Sequence, residues 1–190
     1  MPAWSPSWKG FSSGREDVAG RYARAIATYR LNDVEGALRQ VETLLAEEPQ
    51  NPYFHELKGQ ILFESGRVDE AVAPYATAAR LAPEAAPIRL GHGRALLQAG
   101  RAEAAIAPLE FVVRAEPRNA FAWRTLGIAH GRAGDLASSN LALAEAALLD
   151  RRLDDAGLFL ARADDMVAAG PERRRLQDLE RALDQARDER

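Results

Sequence analysis

Three histidines are the residues of this sequence that could most readily hold a metal ion, and their spacing argues against such a site. His55 opens the string HELKG at residues 55–59, which starts like the zinc-binding pattern HExxH but has Gly in place of the second histidine. His92 and His130 lie far along the chain and share no short ligand spacing with His55. We therefore interpret all three as neutral histidines packed inside helix pairs, and we expect no metal and no cofactor.

Other sets of catalytic groups are also missing from the sequence. The chain has no cysteine, which excludes disulfides and thiol nucleophiles. It has no Ser–His–Asp order and no Gly-rich phosphate loop, and its adjacent carboxylates fall at predicted helix ends or on solvated faces. We interpret the arginine run at residues 173–175, which has acidic neighbours, as a solvated face rather than an anion site. The sequence thus predicts a protein without enzymatic activity of its own.

Charge and hydropathy exclude two further classes of protein. A net charge of −3 lacks the basic field of a nucleic-acid-binding protein. No apolar run approaches the roughly 18 residues that a membrane span requires. The first fourteen residues contain no apolar signal core, so we expect no export signal in this chain. On this ground the chain is either cytoplasmic or a piece of a longer precursor.

Any binding residues must be positioned by a repeat that recurs every 34 residues. Small residues allow helices to cross closely, Gly or Asn supplies a left-handed turn, and Pro stops the second helix of a pair. This period is that of tetratricopeptide repeats, so the sequence predicts an all-α, right-handed α-solenoid of about ten helices. The recurring positions are Pro49, Pro83 and Pro117; Asn32, Gly66, Gly100 and Gly134; Ala25, Gly59, Gly93 and Gly127; and Ala37, Ala71, Ala105 and Ser139.

The period also divides the chain into segments. We predict a linker or docking strap at residues 1–14, whose Trp4, Trp8 and Phe11 pack either on the first repeat or on a neighbouring domain. Repeats follow at 15–170, as units 18–51, 52–85, 86–119 and 120–153 and a unit shifted by half a repeat at 137–170. A capping helix ends the chain at 171–190. The predicted helices are 16–30, 34–47, 52–64, 68–82, 86–99, 102–115, 120–132, 136–150, 153–168 and 172–187.

The first helix of each pair in such a stack lines a concave surface, and helical spacing identifies the residues on it. This face mixes aromatic anchors with scattered polar groups, which suits an extended peptide; the alternative is that many of the aromatic residues belong to the core. The predicted binding residues are Tyr22, Ile26, Tyr29, Tyr53, Glu56, Gln60, Phe63, Arg94, Phe121 and Arg124. The same helix faces also carry Ala19, Pro87, Leu90, Leu97, Ile128 and Gly131.

One known mode of peptide binding is missing from this face. Tetratricopeptide modules that grip a chain-terminal carboxylate resemble one another in carrying Lys and Asn there. The matching positions of this sequence hold Tyr22, Ile26, Leu57, Pro87 and Gly91, so we expect that clamp to be absent.

Three strings are more specific than the repeat itself. RYARAIATYRLNDVEGAL (21–38), NPYFHELKGQILFESGR (51–67) and AWRTLGIAHGRAGD (122–135) resemble the C-terminal half of bacterial periplasmic HExxH zinc metallopeptidases, the BepA-like family of outer-membrane protein quality control. WKGF (8–11) is similar to that family's junction after the peptidase domain. The peptidase half itself is absent from this sequence, so no catalytic residue can be transferred.

The resemblance implies a function and a location. It implies a periplasmic module that captures client or partner polypeptides for a zinc peptidase domain in the same polypeptide and for the outer-membrane assembly machinery. The alternative is a stand-alone adaptor with a cytoplasmic partner.

Overall fold

The computed structural model describes residues 17–189, and in this range the chain forms ten α-helices and no strand. This confirms the predicted all-α fold. The helices are α1 (Val18–Arg30), α2 (Val34–Glu47), α3 (Pro52–Glu64), α4 (Val68–Leu81), α5 (Ala86–Gln98), α6 (Ala102–Ala115), α7 (Ala120–Arg132), α8 (Leu136–Leu149), α9 (Leu153–Asp164) and α10 (Pro171–Asp188). The strap predicted at residues 1–14, with Trp4, Trp8 and Phe11, lies outside the described residues.

The helices form two compact units, one ending at Pro49 and the other beginning at Gln50. In the first unit, α1 packs on α2 around Ala25, Ala37 and other fully buried residues. Arg21 closes this pair through two hydrogen bonds of 2.6 Å from its guanidinium to the Glu47 carboxylate. The second unit contains α3–α10.

Repeated turn residues explain how consecutive helices reverse direction. Gly66 has a φ of +82°, and Asn32 takes the equivalent left-handed conformation with a φ of +67°. Asn is among the few non-glycine residues that tolerate this conformation, so the turn survives at Asn32 without a glycine. The predicted role of this position in the repeat is confirmed.

The small residues lie where paired helices make their closest approach. A Cβ atom added to Gly59 would lie 2.8 Å from Cδ2 of Tyr75, and one added to Gly93 would lie 2.7 Å from Cγ of Leu109. Both distances are too short for a real contact, so a side chain at either glycine would require Tyr75, Leu109 or the helices themselves to shift. Close packing therefore explains the 34-residue recurrence of these positions.

The C-terminal segment differs from the prediction in its helix bounds. The α9 helix ends at Asp164 instead of residue 168, and Val167 beyond its end is buried in the core. Pro171 does not follow a helix end; it occupies the first turn of α10, where its missing N–H costs nothing. The other helix bounds agree with the prediction to within about two residues.

The α10 helix packs on α8 and α9 through a leucine stripe. Leu176, Leu179 and Leu183 are buried in one cluster with residues of α8 and α9.

The expectation of a solvated arginine run at residues 173–175 was wrong for two of its members. Arg173 pairs with Asp164, and Arg175 lies over the Trp123 ring, 4.5 Å from its centroid. Contacts with other parts of the fold therefore hold two arginines that the neighbouring sequence alone predicts to be in solvent.

Candidate functional site

The first helices of three successive pairs, α3, α5 and α7, are neighbours in the second unit. In addition to its hairpin partner, α5 contacts both α3 and α7. Side chains on one side of these helices therefore form a shared surface. We call this surface the α3–α5–α7 face, and its side chains are Tyr53, Glu56, Gln60, Phe63, Arg94, Phe121 and Ile128.

Three predicted binding residues from three different helices meet on this face. Arg94 of α5 lies over the rings of Phe63 from α3 and Phe121 from α7, with its Cζ atom 4.9 Å and 5.4 Å from the two ring centroids. A guanidinium over an aromatic ring is attracted by the negative charge of the ring face. The three side chains therefore form a single aromatic–cation cluster across the repeats.

The two predicted arginines differ in how their charge is used. Arg124 pairs with Asp150 at the end of α8, so its charge is neutralised within the protein. Arg94 is exposed, and it takes part in no hydrogen bond or ion pair with any residue from 17 to 189. Of these two arginines, only Arg94 thus lacks an acidic partner among residues 17–189.

Three exposed apolar side chains belong to the α3–α5–α7 face. The exposed fractions are 58% for Tyr53, 47% for Phe121 and 40% for Ile128. These residues are therefore not core residues, whereas Phe63 is half-buried. Gln60 is exposed and donates a hydrogen bond of 2.9 Å to Glu64 on the same helix. Large apolar side chains that remain grouped at a surface are characteristic of an interaction site.

A buried tyrosine that the sequence analysis did not single out supports the face from below. A Cβ atom on Gly59 of α3 or Gly91 of α5 would lie 2.8 Å or 2.4 Å from the Tyr75 ring, so the ring packs against both helices. Burial, together with the charge of Glu56, raises the pKa of Tyr75 to about 12. Burial also raises the pKa of Glu56. Tyr75 is thus a neutral wedge between the two helices.

A signal for Tyr75 does exist in the sequence. The positions 34 and 68 residues later hold Leu109 and Leu143, so tyrosine replaces leucine in this repeat alone among the three. Gly91, where the ring of Tyr75 packs, has no glycine one repeat later, at Thr125. A bulky ring and an unmatched glycine together indicate a local change of packing.

The predicted binding residues of the first unit lie on α1. Tyr22, Ile26 and Tyr29 are each half-buried there. They follow the same helical spacing as the residues of α3, but they belong to a different compact unit.

The histidines are half-buried in their helices. Burial, followed by the charge of Arg89, lowers the pKa of His92. His130 Nδ1 lies 3.4 Å from the Asp135 carboxylate. Between residues 17 and 189, no three His, Cys, Asp or Glu side chains are grouped so that they could hold a metal ion.

Among the described helices, none combines the length and the apolar character needed to cross a bilayer.

Comparison with known proteins defines the class of this chain. Two tetratricopeptide-repeat family models match it, over residues 19–86 and 62–127, and together they cover more than half of its length. The chain thus contains tetratricopeptide repeats. A search of curated proteins gives no match.

Solved structures of MamA are similar to this chain over nearly its whole length. A double mutant of MamA from strain RS-1 has 26% sequence identity and a TM-score of 0.70, with 90% of this chain and 99% of that chain covered. MamA from residue 41 onward, from Desulfovibrio magneticus RS-1, has 26% identity and a TM-score of 0.69, with 89% and 98% covered. A further MamA crystal structure has 16% identity and a TM-score of 0.69, which shows similarity of fold alone.

Proposed function

We propose that this chain is a non-catalytic protein-binding module and that its α3–α5–α7 face holds an extended segment of a partner polypeptide. The observation that carries the proposal is the cluster of Phe63, Arg94 and Phe121, in which three helices contribute to one partly exposed surface. Tetratricopeptide repeats serve as protein-interaction surfaces because stacked helices offer a long, continuous side.

Each group on the face suits a different part of such a segment. Tyr53, Phe121 and Ile128 offer apolar area that a partner would remove from water, and aromatic residues together with arginine dominate the energetics of protein interfaces. Gln60 and Arg94 offer hydrogen-bond donors that fix the position of the bound chain. A mixed surface of this kind favours a polypeptide ligand over a small apolar molecule.

The similarity to MamA supports a scaffold or adaptor as the general class. The MamA chains are matched over 98–99% of their length, so the repeats account for nearly all of those solved chains.

The strings at residues 21–38, 51–67 and 122–135 support a more specific version of the proposal. In this version the module lies in the periplasm and presents outer-membrane client proteins to a zinc peptidase domain of the same polypeptide. The two versions differ in the size of the native protein and in its location.

Site-specific photo-crosslinking in the source cells tests the binding face. A benzoylphenylalanine at Tyr53 or Phe121 is expected to crosslink to a partner polypeptide, which mass spectrometry then identifies. Leu158 of α9 is the matched control, because it is 51% exposed and lies outside the face. Equal crosslinking at all three positions, or none at Tyr53 and Phe121, would contradict the proposed binding face.

An immunoblot of fractionated cells separates the two versions. A band well above 20.8 kDa in the periplasmic or membrane fraction is expected for a module linked to a peptidase. A band near 20.8 kDa in the cytosol would rule out that version and leave the adaptor.

A further inference from the structure

We infer that the α3–α5–α7 face recognises a carboxylate of its polypeptide ligand and that Arg94 is the residue that binds it. This inference rests on the proposed protein-binding function and specifies the chemistry of the ligand.

The two rings position the guanidinium of Arg94 without using its hydrogen-bonding capacity. Phe63 and Phe121 hold it from α3 on one side and from α7 on the other, at 4.9 Å and 5.4 Å from Cζ to the ring centroids. A guanidinium carries five N–H donors in a planar fork, which matches the two oxygens of a carboxylate. The donors of Arg94 are therefore held at the surface and stay unused by the described residues.

The other arginines that stack on aromatic rings have polar partners. Arg89 lies over Phe111 at 4.2 Å and also donates a hydrogen bond of 2.6 Å to the Pro83 carbonyl. Arg175 lies over Trp123, and its Nη2 atom is 3.9 Å from the Glu145 carboxylate. In these two cases the stacked arginine packs one helix of the fold against another. Arg94 has the same stacking but lacks a polar partner, and a ligand can supply that partner.

The acidic residues near Arg94 do not compete for it. Glu64 accepts a hydrogen bond from Gln60, and Glu56 is half-buried, which raises its pKa. Neither carboxylate forms an ion pair with Arg94 in the described structure. No residue from 17 to 189 therefore pairs with the charge of Arg94, and a ligand can supply that partner.

The neighbours of Arg94 indicate what surrounds that carboxylate. Phe121 beside Arg94 and Ile128 on the same helix as Phe121 are exposed apolar groups, so the ligand is expected to carry apolar residues beside the acidic group. The carboxylate can come from an Asp or Glu side chain or from the end of a chain. A terminal carboxylate would here be bound by an arginine, since the positions of the Lys and Asn clamp hold other residues.

Peptide display on the purified full chain tests this inference. Two random 12-residue libraries are selected, one with a free C-terminus and one with the peptide inside a carrier protein. The baits are the unaltered protein, Arg94→Gln and Arg89→Gln. The last is the matched control, because Arg89 is also a stacked arginine of α5 but contacts Phe111 and Pro83 instead of the face.

We expect the unaltered protein and Arg89→Gln to enrich peptides with a carboxylate beside apolar residues, and Arg94→Gln to lose this enrichment. Enrichment of Asp or Glu within the carrier assigns the carboxylate to a side chain, and enrichment confined to free C-termini assigns it to the chain end. For a selected peptide, Arg94→Gln is expected to weaken binding about 10- to 100-fold, as for loss of a charged hydrogen bond. Replacing the peptide carboxylate by an amide is expected to have the same effect, without a further loss in Arg94→Gln.

The outcomes separate this inference from the proposed function. Peptides that bind the face without any acidic preference, or an acidic preference that persists in Arg94→Gln, would overturn the inference while leaving a protein-binding face. Failure of both libraries to yield any binder would overturn the inference together with peptide binding by this face.

Discussion

The α3–α5–α7 face and the packing of α10 on the repeats use the same side-chain chemistry with opposite results. In both places an arginine lies over aromatic rings, and leucine or aromatic groups surround it. Around α10, Glu145 lies near Arg175, Asp164 pairs with Arg173, and the leucines are buried. On the α3–α5–α7 face the rings stay partly exposed and Arg94 has no acidic partner among the described residues.

This difference distinguishes an arginine–aromatic contact that is covered by another helix from one that is left exposed. Where the apolar surface of one helix is covered by another, an arginine–aromatic contact contributes to folding. Where no described helix covers it, the same contact stays partly exposed. Substitutions in the α3–α5–α7 face and in the packing of α10 test this comparison.

The largest effect is expected at the leucine stripe of α10. Leu176 is fully buried among residues of α8 and α9, so Leu176→Ala removes apolar contacts and leaves a cavity. We expect a loss of about 2–5 kcal/mol in the free energy of unfolding. Chemical denaturation followed by circular dichroism measures it, with the exposed Leu158→Ala as control. An unchanged midpoint for Leu176→Ala would mean that α10 does not close the repeats.

A pH-dependent effect is expected from Tyr75, the wedge beneath the face. Its pKa is raised to about 12 in the folded protein, so folding favours the protonated hydroxyl. Stability from this group is fully present below the ordinary tyrosine pKa near 10 and is lost as pH rises from about 10 through 12. We expect a loss of about 2 kcal/mol over this range, and a shallower dependence in Tyr75→Phe.

Denaturation curves at pH 9 and at several higher values measure the effect of Tyr75. The comparison is made between the unaltered protein and Tyr75→Phe, since other groups also titrate at high pH. Identical pH profiles for the two proteins would show that the hydroxyl of Tyr75 is not held in its protonated form.

The smallest effects are expected at the two stacked arginines, and their difference is the informative quantity. Arg175→Gln loses its contact with Trp123 and leaves Glu145 without its cation, which we expect to cost about 1 kcal/mol because the site is partly exposed. Arg94→Gln is expected to change stability by less than about 0.5 kcal/mol. Thermal unfolding measures both. Equal losses would show that Arg94 also has a structural role.

The repeat explains why much of the fold could be predicted from the sequence. Turns at Asn32 and Gly66 and close helix crossings at Gly59 and Gly93 depend on local geometry and on a fixed period. The end of α9 was not predicted in this way; Val167 beyond it is buried in a core to which α8 and α10 also contribute, and this tertiary packing lies outside the repeat period.

The candidate site could also be predicted in part from the sequence. Helical spacing placed Phe63, Arg94 and Phe121 on one face, and the structure brings them together. The pairing of Arg124 with Asp150 was not predictable, because it joins α7 to the end of another helix. Tyr75 was missed because it lies on the second helix of its pair, where spacing indicates core.

The measurement that tests the account most directly compares binding and stability in the double variant Tyr53→Ala, Phe121→Ala. With the crosslinked partner or a selected peptide as ligand, we expect affinity to fall at least about 10-fold, as for loss of aromatic anchors, while the melting temperature stays nearly unchanged. These side chains are exposed, so their removal leaves the core intact. Unfolding of the variant, or full affinity in a folded variant, would contradict a binding role for the α3–α5–α7 face.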